Sequence, residues 1–199
     1  RGGFAATMAG TIVLLALLDR RAKSKKGRMR LVAVSAVIAA GIAFVITSEG
    51  LLDRIDRTDI TTEERMAVYA NINRAIGDNP MLGFGYGTFA NSYLLYDPLE
   101  SGVHYDRAHN TWLENAFELG IPAALGLYLA LGGLALTCLK GVRRRHRDWV
   151  FPATGVAASV LVGLHAILDF SLQIPAVAIL YACIMGVACA QSYSSVGRG

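Results

Sequence analysis

The stretch NPMLGFGYGTFANSYLLYDPLESGVHYDRAHNTWLENAFELG, residues 79–120, decides how the rest of the chain is read. It is too polar to lie in lipid and too poor in basic residues to share a side with the chain's cationic turns. It holds His104 and His109, two of the four histidines, and the glycines Gly83, Gly85 and Gly87. Long apolar runs stand on both sides of it, at 4–18, 31–47, 121–139, 150–168 and 174–190. A hydrocarbon core about 30 Å thick needs roughly 17–25 helical residues, so the later runs fit and the first is marginal. Lipid offers unpaired backbone groups no water, so such runs are read as helices. Hydrophobic residues make up 54% of the chain and charged ones 17%, which excludes an ordinary soluble domain.

The connectors set the orientation. Residues 19–30 carry Arg20, Arg21, Lys23, Lys25, Lys26, Arg28 and Arg30 against one acid, Asp19. Residues 140–149 carry Lys140, Arg143, Arg144, Arg145 and Arg147 against Asp148. Both are expected on the cytoplasmic side by the positive-inside bias. That puts 48–120 and the short turn at 170–173 on the outer face. From 48 to 115 there are five arginines, no lysine and eleven carboxylates, so the two sides differ in charge as the orientation requires. The expected architecture is an all-α integral membrane protein. It is a polytopic helical bundle of about five transmembrane helices, a single membrane domain over 1–199, with a large, partly helical periplasmic loop at 48–115. The chain opens at Arg1 and enters an apolar run at once, which reads as the C-terminal part of a longer protein.

Two helices are legible inside the loop. Thr61 and Glu64 match a capping box, and the helix after them places Met66, Tyr69, Ile72 and Ile76 on one face, with Gly77 and Pro80 as stops. A second helix starts near Asn110 or Thr111, with Thr111 and Glu114 as another capping box. It is expected to bury Trp112, Leu113, Ala116 and Phe117 and to end at Gly120, where Pro122 opens the next membrane helix. The run GFGYG has no strand before it, no helix directly after it and no P-loop lysine, so a phosphate cradle is disfavoured. A turn packing its backbone closely against another segment is the preferred reading.

Chemistry has few carriers. Cys138, Cys183 and Cys189 all lie in or at the end of apolar runs, which leaves no disulfide framework and no zinc spacing. His104 and His109, five apart and without a third ligand, do not form a metal site. His109 immediately precedes a helix start, where the dipole disfavours an extra positive charge and suits an imidazole that accepts a proton. The plainer reading is a surface histidine bonded to a neighbouring loop. Arg65 is either half of a solvated ion pair with Glu63 or Glu64 or a fork that grips an anionic ligand at the membrane. Arg1, followed by Gly2 and Gly3, is either an interfacial anchor or a second anion contact beside a backbone that a bulky group can approach. His165 and Asp169 are four apart, and a structural pair pinning the loop to the bundle outweighs a catalytic dyad.

Taken together, these elements resemble the bacterial O-antigen ligase and O-antigen polymerase superfamily of membrane glycosyltransferases. The matching pieces are Arg1-Gly2 opening a membrane helix, Arg65 four residues before Tyr69, the DNPMLGFGYGTF turn, the HNTWLENAFELG block from His109 to Gly120, and HAILDF from His165 to Phe170. Tyr69 departs from the family, which more often has tryptophan there. The resemblance implies transfer of a glycan from an undecaprenyl-pyrophosphate carrier to an acceptor hydroxyl, in the bacterial inner membrane, with no cofactor and no metal. The acceptor is a growing glycan chain or lipid A-core. It implies catalytic roles for His109 and Arg65, pyrophosphate binding by Arg1 and Arg65, an inverting single displacement, and support from Asn110, Glu114, His165 and Asp169. A polysaccharide or lipid transporter is the competing reading. It would call for broken helices and polar groups at the membrane midplane, and His165 is nearly alone there. A membrane assembly subunit without catalysis is the third.

Overall fold

The computed structural model describes residues 2–19, 32, 62–97 and 105–193. Most of the apolar run at 31–47 lies outside them, as do residues 20–30, Arg1, Thr61 and His104. The described helices are α1 (Gly2–Asp19), α2 (Thr62–Asp78), α3 (Phe89–Tyr93), α4 (Thr111–Leu119), α5 (Ile121–Arg144), α6 (Val150–His165) and α7 (Pro175–Ser192), with a 3-10 turn at Ser171–Gln173. No strand occurs among the described residues. The all-helical expectation is met.

Two helices, α5 and α7, are long and apolar enough to cross a membrane, with mean hydropathies of 1.8 and 1.6. α1 and α6 are apolar but shorter. On α5 only 11% of the apolar window is buried, and Leu125, Leu129 and Leu136 face outward, each more than half exposed. Ile179, Leu180 and Val187 of α7 do the same. Apolar area displayed on this scale belongs against lipid rather than water. α5, α6 and α7 pack on one another around Cys138, Met185 and Ala188. Small residues set their spacing, since a β-carbon on Gly155 would come 2.5 Å from that of Ala188. α1 lies along α6, where a β-carbon on Gly10 would meet that of Leu161 at 2.8 Å.

The loop builds its own core. Val68, Ile72 and Ala75 of α2, Phe89 and Tyr93 of α3, Phe117 of α4, and Tyr105 and Ala108 from the segment before α4 are buried together, with Tyr69, Ile76, Phe84 and Leu113 packed around them. Phe84 stacks on Phe117 at 4.6 Å between ring centroids, and Phe89 meets the same ring edge-on at 5.3 Å. Three expectations need correction. Met66 is 64% exposed, and Val68 and Ala75 take the buried face instead. Gly77 lies inside α2, which ends one residue later. Trp112 is 37% exposed, while Glu114 and Glu118 are fully buried on α4 along with Phe117. The apolar pattern located the helix but not its orientation, because hydrogen bonds to the two carboxylates outweigh burial of an indole.

The glycine turn packs as expected against another segment, the α4–α5 junction. Phe84 N–H donates to the Phe117 carbonyl (3.0 Å), Gly85 N–H to that of Glu118 (2.8 Å), and Ile121 N–H to that of Pro80 (2.8 Å). Gly83 and Gly120 both have positive φ, 64 and 76. A β-carbon on Gly83 would land on the Glu118 carbonyl, and one on Gly120 would lie 2.5 Å from that of Met81. Gly83→Ala and Gly120→Ala are each expected to cost roughly 2–4 kcal/mol of stability through strain and collision combined. Gly87→Ala, at φ 79 with nothing within 4 Å of the added carbon, should cost only about 1–2 kcal/mol. Thermal melting in detergent checks the order; equal losses at the three positions would dismiss the clamp.

Candidate active site

His109 is held where the loop meets the bundle. Its φ of 50 lies in the left-handed region, which a side-chain-bearing residue occupies only when its surroundings enforce it. The Tyr69 hydroxyl donates to its carbonyl at 3.3 Å. Directly after it Asn110 turns extended and caps α4, its side-chain oxygen accepting from Trp112 N–H (3.0 Å) and Leu113 N–H (3.2 Å). The imidazole meets the Phe170 ring edge-on at 5.2 Å. The capping box expected between Thr111 and Glu114 does not form, because both side chains are engaged elsewhere. Thr111 donates its hydroxyl to the Asp169 carbonyl (2.8 Å) and its N–H to that of Ala166 (2.8 Å), tying α4 to the end of α6.

Asp169 is the meeting point. One carboxylate oxygen lies 3.7 Å from His109 Nδ1 and accepts the Phe170 N–H at 2.8 Å; the other lies 3.9 Å from His165 Nε2. Both histidine separations are ion-pair distances rather than hydrogen bonds. His165 Nδ1 is 3.0 Å from the Ser171 hydroxyl. The start of α1 reaches the same network, since a β-carbon on Gly3 would come 2.8 Å from His165 Nε2.

Beneath His109 lies a buried carboxylate. Glu114 accepts the Ala108 N–H at 2.8 Å and pairs with Arg107 Nη1 at 3.2 Å, and the same Nη1 donates to Gln173 Oε1 at 3.2 Å. This fastens the strand-like approach to His109 onto α4 and onto the turn before α7. Glu118 similarly accepts the Phe89 N–H at 2.9 Å and so orders the start of α3. Burial pushes the Glu114 carboxyl above its ordinary value, with the Ala108 and Arg107 hydrogen bonds opposing.

Two cavities flank this arrangement. A polar one of about 500 Å³ is lined by Gly87, Phe89, Ala90, Asp106, Arg107, Glu118 and Phe170. An apolar one of about 180 Å³ lies among α5, α6 and α7, with Trp112, Tyr128, Val162, Leu172 and Tyr181 in its walls.

Of the residues singled out in the sequence, the fold gathers His109, Asp169 and His165, with Asn110 and Glu114 bracing the first. Arg65 sits in α2 one helical turn before Tyr69, the residue whose hydroxyl holds His109; its side chain lies outside the described residues. Arg1 lies outside them too, two positions before Gly3. Three residues hold contacts that the sequence did not announce. Tyr69 was read for packing and carries a hydrogen bond. Arg107 is the single lysine or arginine of 79–120, a signal available in the sequence. Phe170 lies in the HAILDF segment, but nothing in its spacing announces the contact with His109.

A family model described as O-Antigen ligase matches residues 1–128, a stretch that takes in Arg65, His109, Asn110 and Glu114 and stops before His165 and Asp169. No curated protein matches the chain.

The raised Glu114 carboxyl gives a pH signature. The folded state holds this proton more tightly than the unfolded state, so the contribution is fully present below the unfolded value, about 4.3, and is lost as pH rises through the higher folded one. The melting temperature of the unaltered chain relative to Glu114→Gln is therefore expected to be most favourable near pH 4 and to fall as pH rises. A difference that is flat or grows from about pH 4 to 7 would contradict the sign.

Proposed function

Because the chain belongs to the O-antigen ligase family, we propose that it moves a glycan from an undecaprenyl-pyrophosphate carrier onto an acceptor hydroxyl, with His109 at the reacting centre. Membership makes it a ligase- or polymerase-type glycosyltransferase enzyme of cell-surface polysaccharide biosynthesis. The observation that carries the finer reading is His109 in a left-handed backbone conformation with Nδ1 turned towards Asp169 at 3.7 Å. A carboxylate on one ring nitrogen orients the imidazole and stabilises the charge that forms when the other nitrogen takes a proton.

In this reading the acceptor oxygen attacks the anomeric carbon and gives its proton to His109 Nε2. The bond from that carbon to the pyrophosphate oxygen breaks, and the carrier leaves with the electron pair. One displacement inverts the anomeric centre. The leaving pyrophosphate needs positive charge, which Arg1 and Arg65 supply. Two placements support this: Gly3 packs against His165, and Tyr69, one turn after Arg65, bonds the His109 carbonyl. Asn110, Glu114 and His165 act as positioning residues. The reaction calls on no metal or cofactor.

The chain is a single membrane domain over 1–199 in this reading, spanning the bacterial inner membrane about five times. The 48–115 loop is periplasmic, where lipid-linked glycans and their acceptors meet. The basic residues at the end of α5, Arg143 and Arg144, face the cytoplasm. The apolar cavity of about 180 Å³ among α5, α6 and α7 gives a short piece of the carrier's hydrocarbon chain a place beside Trp112.

His109→Ala in the complete protein is expected to lower transfer at least ~100-fold, with lipid-linked glycan accumulating in cells. Asp169→Asn should lower it less and shift the pH profile of kcat. Normal glycan attachment and chain length in His109→Ala cells would end the enzymatic reading. A block with no accumulated lipid-linked glycan outside the cytoplasmic leaflet would favour transport instead.

A further inference from the structure

The transfer reading leaves one feature unused, the polar cavity beside His109. Its walls are drawn from four segments. Gly87, Phe89 and Ala90 come from the turn and start of α3, Asp106 and Arg107 from the approach to His109, and Phe170 from the segment after α6. Glu118 of α4 completes it. At about 500 Å³ it falls within the roughly 300–1,000 Å³ typical of small-molecule sites.

The lining is selective in kind. Phe170 offers a ring face against which the C–H surface of a pyranose can pack. Asp106 offers carboxylate oxygens as acceptors for hydroxyl groups, Glu118, buried and already bonded to the Phe89 N–H, adds negative charge in the wall, and the Arg107 guanidinium offers donors. The Arg107 side chain is 41% exposed although one of its nitrogens is committed to Glu114 and Gln173. Two carboxylates against one arginine make the cavity a poor place for a pyrophosphate and a suitable one for a neutral, hydroxyl-rich group. Phe170 also touches the His109 ring, and Arg107 precedes His109 by two residues. A saccharide seated here therefore ends next to the imidazole.

We propose that this cavity is the acceptor subsite, binding the terminal sugar of the acceptor glycan through Asp106, Arg107 and Phe170 and presenting one hydroxyl to His109. The proposal rests on the transfer reading and adds to it the separation of the two substrates. Arg1 and Arg65 are left for the donor's pyrophosphate, and Asp106, Arg107 and Phe170 for the acceptor sugar.

The test uses the complete protein in proteoliposomes, with the host's own lipid-linked glycan as donor. One series takes the host's rough lipopolysaccharide as acceptor, and a second takes a carrier-free oligosaccharide of the same repeat unit, so that donor and acceptor are varied separately. Two variants probe the cavity: Asp106→Asn removes an acceptor's charge, and Ala90→Trp fills the space while leaving the wall's polar groups in place. In the series that supports transfer, each variant is expected to raise the acceptor KM about tenfold or more, with the donor KM within about twofold of the unaltered protein. Melting temperatures confirm that each variant folds, and Asp106→Asn alone decides the matter if Ala90→Trp does not. Unchanged acceptor KM in the folded variants, or an equal rise in both KM values, overturns the subsite even while His109→Ala still abolishes transfer. Retention of transfer in His109→Ala removes the transfer reading itself, and the subsite with it.

Discussion

Three backbone hydrogen bonds, from Phe84 to Phe117, from Gly85 to Glu118 and from Ile121 to Pro80, tie the glycine turn to the junction of α4 and α5. Their geometry requires two backbones to pass at a distance that no β-carbon tolerates at Gly83 or Gly120. This contact joins the loop's aromatic core to the first turn of a membrane helix without an intervening linker. Pro122 then begins α5 in a position where its missing N–H costs nothing. A loop fixed in this way can hold His109 in a left-handed conformation, because Ala108 before it is bonded to Glu114 and Asn110 after it caps α4. A free loop would relax that strain within its own flexibility.

The two buried carboxylates have a related task. Glu114 and Glu118 lie on the face of α4 turned towards the loop core, where isolated charges would be costly. Each takes a backbone N–H from a segment that has no helix of its own to satisfy it, Ala108 in one case and the start of α3 in the other. They substitute for the hydrogen bonds that a sheet or a longer helix would supply. The short α3 and the approach to His109 are therefore ordered by side chains of α4. Its orientation is set by polar satisfaction, with Phe117 as its main apolar anchor.

How much of this was legible in the chain follows from the range of each signal. The apolar runs gave α1, α5, α6 and α7 to within a few residues, because lipid demands length and composition and little else. The glycine turn was read correctly as a close backbone approach, though its partner could not be named, since the pairing spans more than thirty residues. The pattern on α2 failed at Met66, and that on α4 failed at Trp112, where a periodicity of apolar residues cannot register buried carboxylates. At the candidate site, the pair His165 and Asp169 was visible as a spacing of four, but its extension to His109 was not. That extension depends on Thr111 bonding the Ala166 and Asp169 carbonyls, a contact between segments about sixty residues apart. The side-chain positions of Arg1 and Arg65 lie outside the described residues, and their place at the site rests on the family pattern and on their neighbours Gly3 and Tyr69.

The arrangement divides labour in a way that the chemistry of lipid-linked sugars would favour. The donor's carrier is confined to the bilayer, while the acceptor sugar comes from water, so a transferase must hold both at one seam. His109 belongs to the loop, Asp169 and His165 to the end of α6 and the turn after it, and their approach is fixed by hydrogen bonds that run between the two. A base mounted on the bundle alone would sit too deep for a hydrated acceptor. One mounted on a detached loop would lose the entropy advantage of a fixed approach. The clamp at Gly83 and Gly120 resolves that conflict, because it makes the loop a rigid extension of α5. In the proposed transfer reading, the geometry at His109 is set by the helices that anchor the loop and not by closure of the loop.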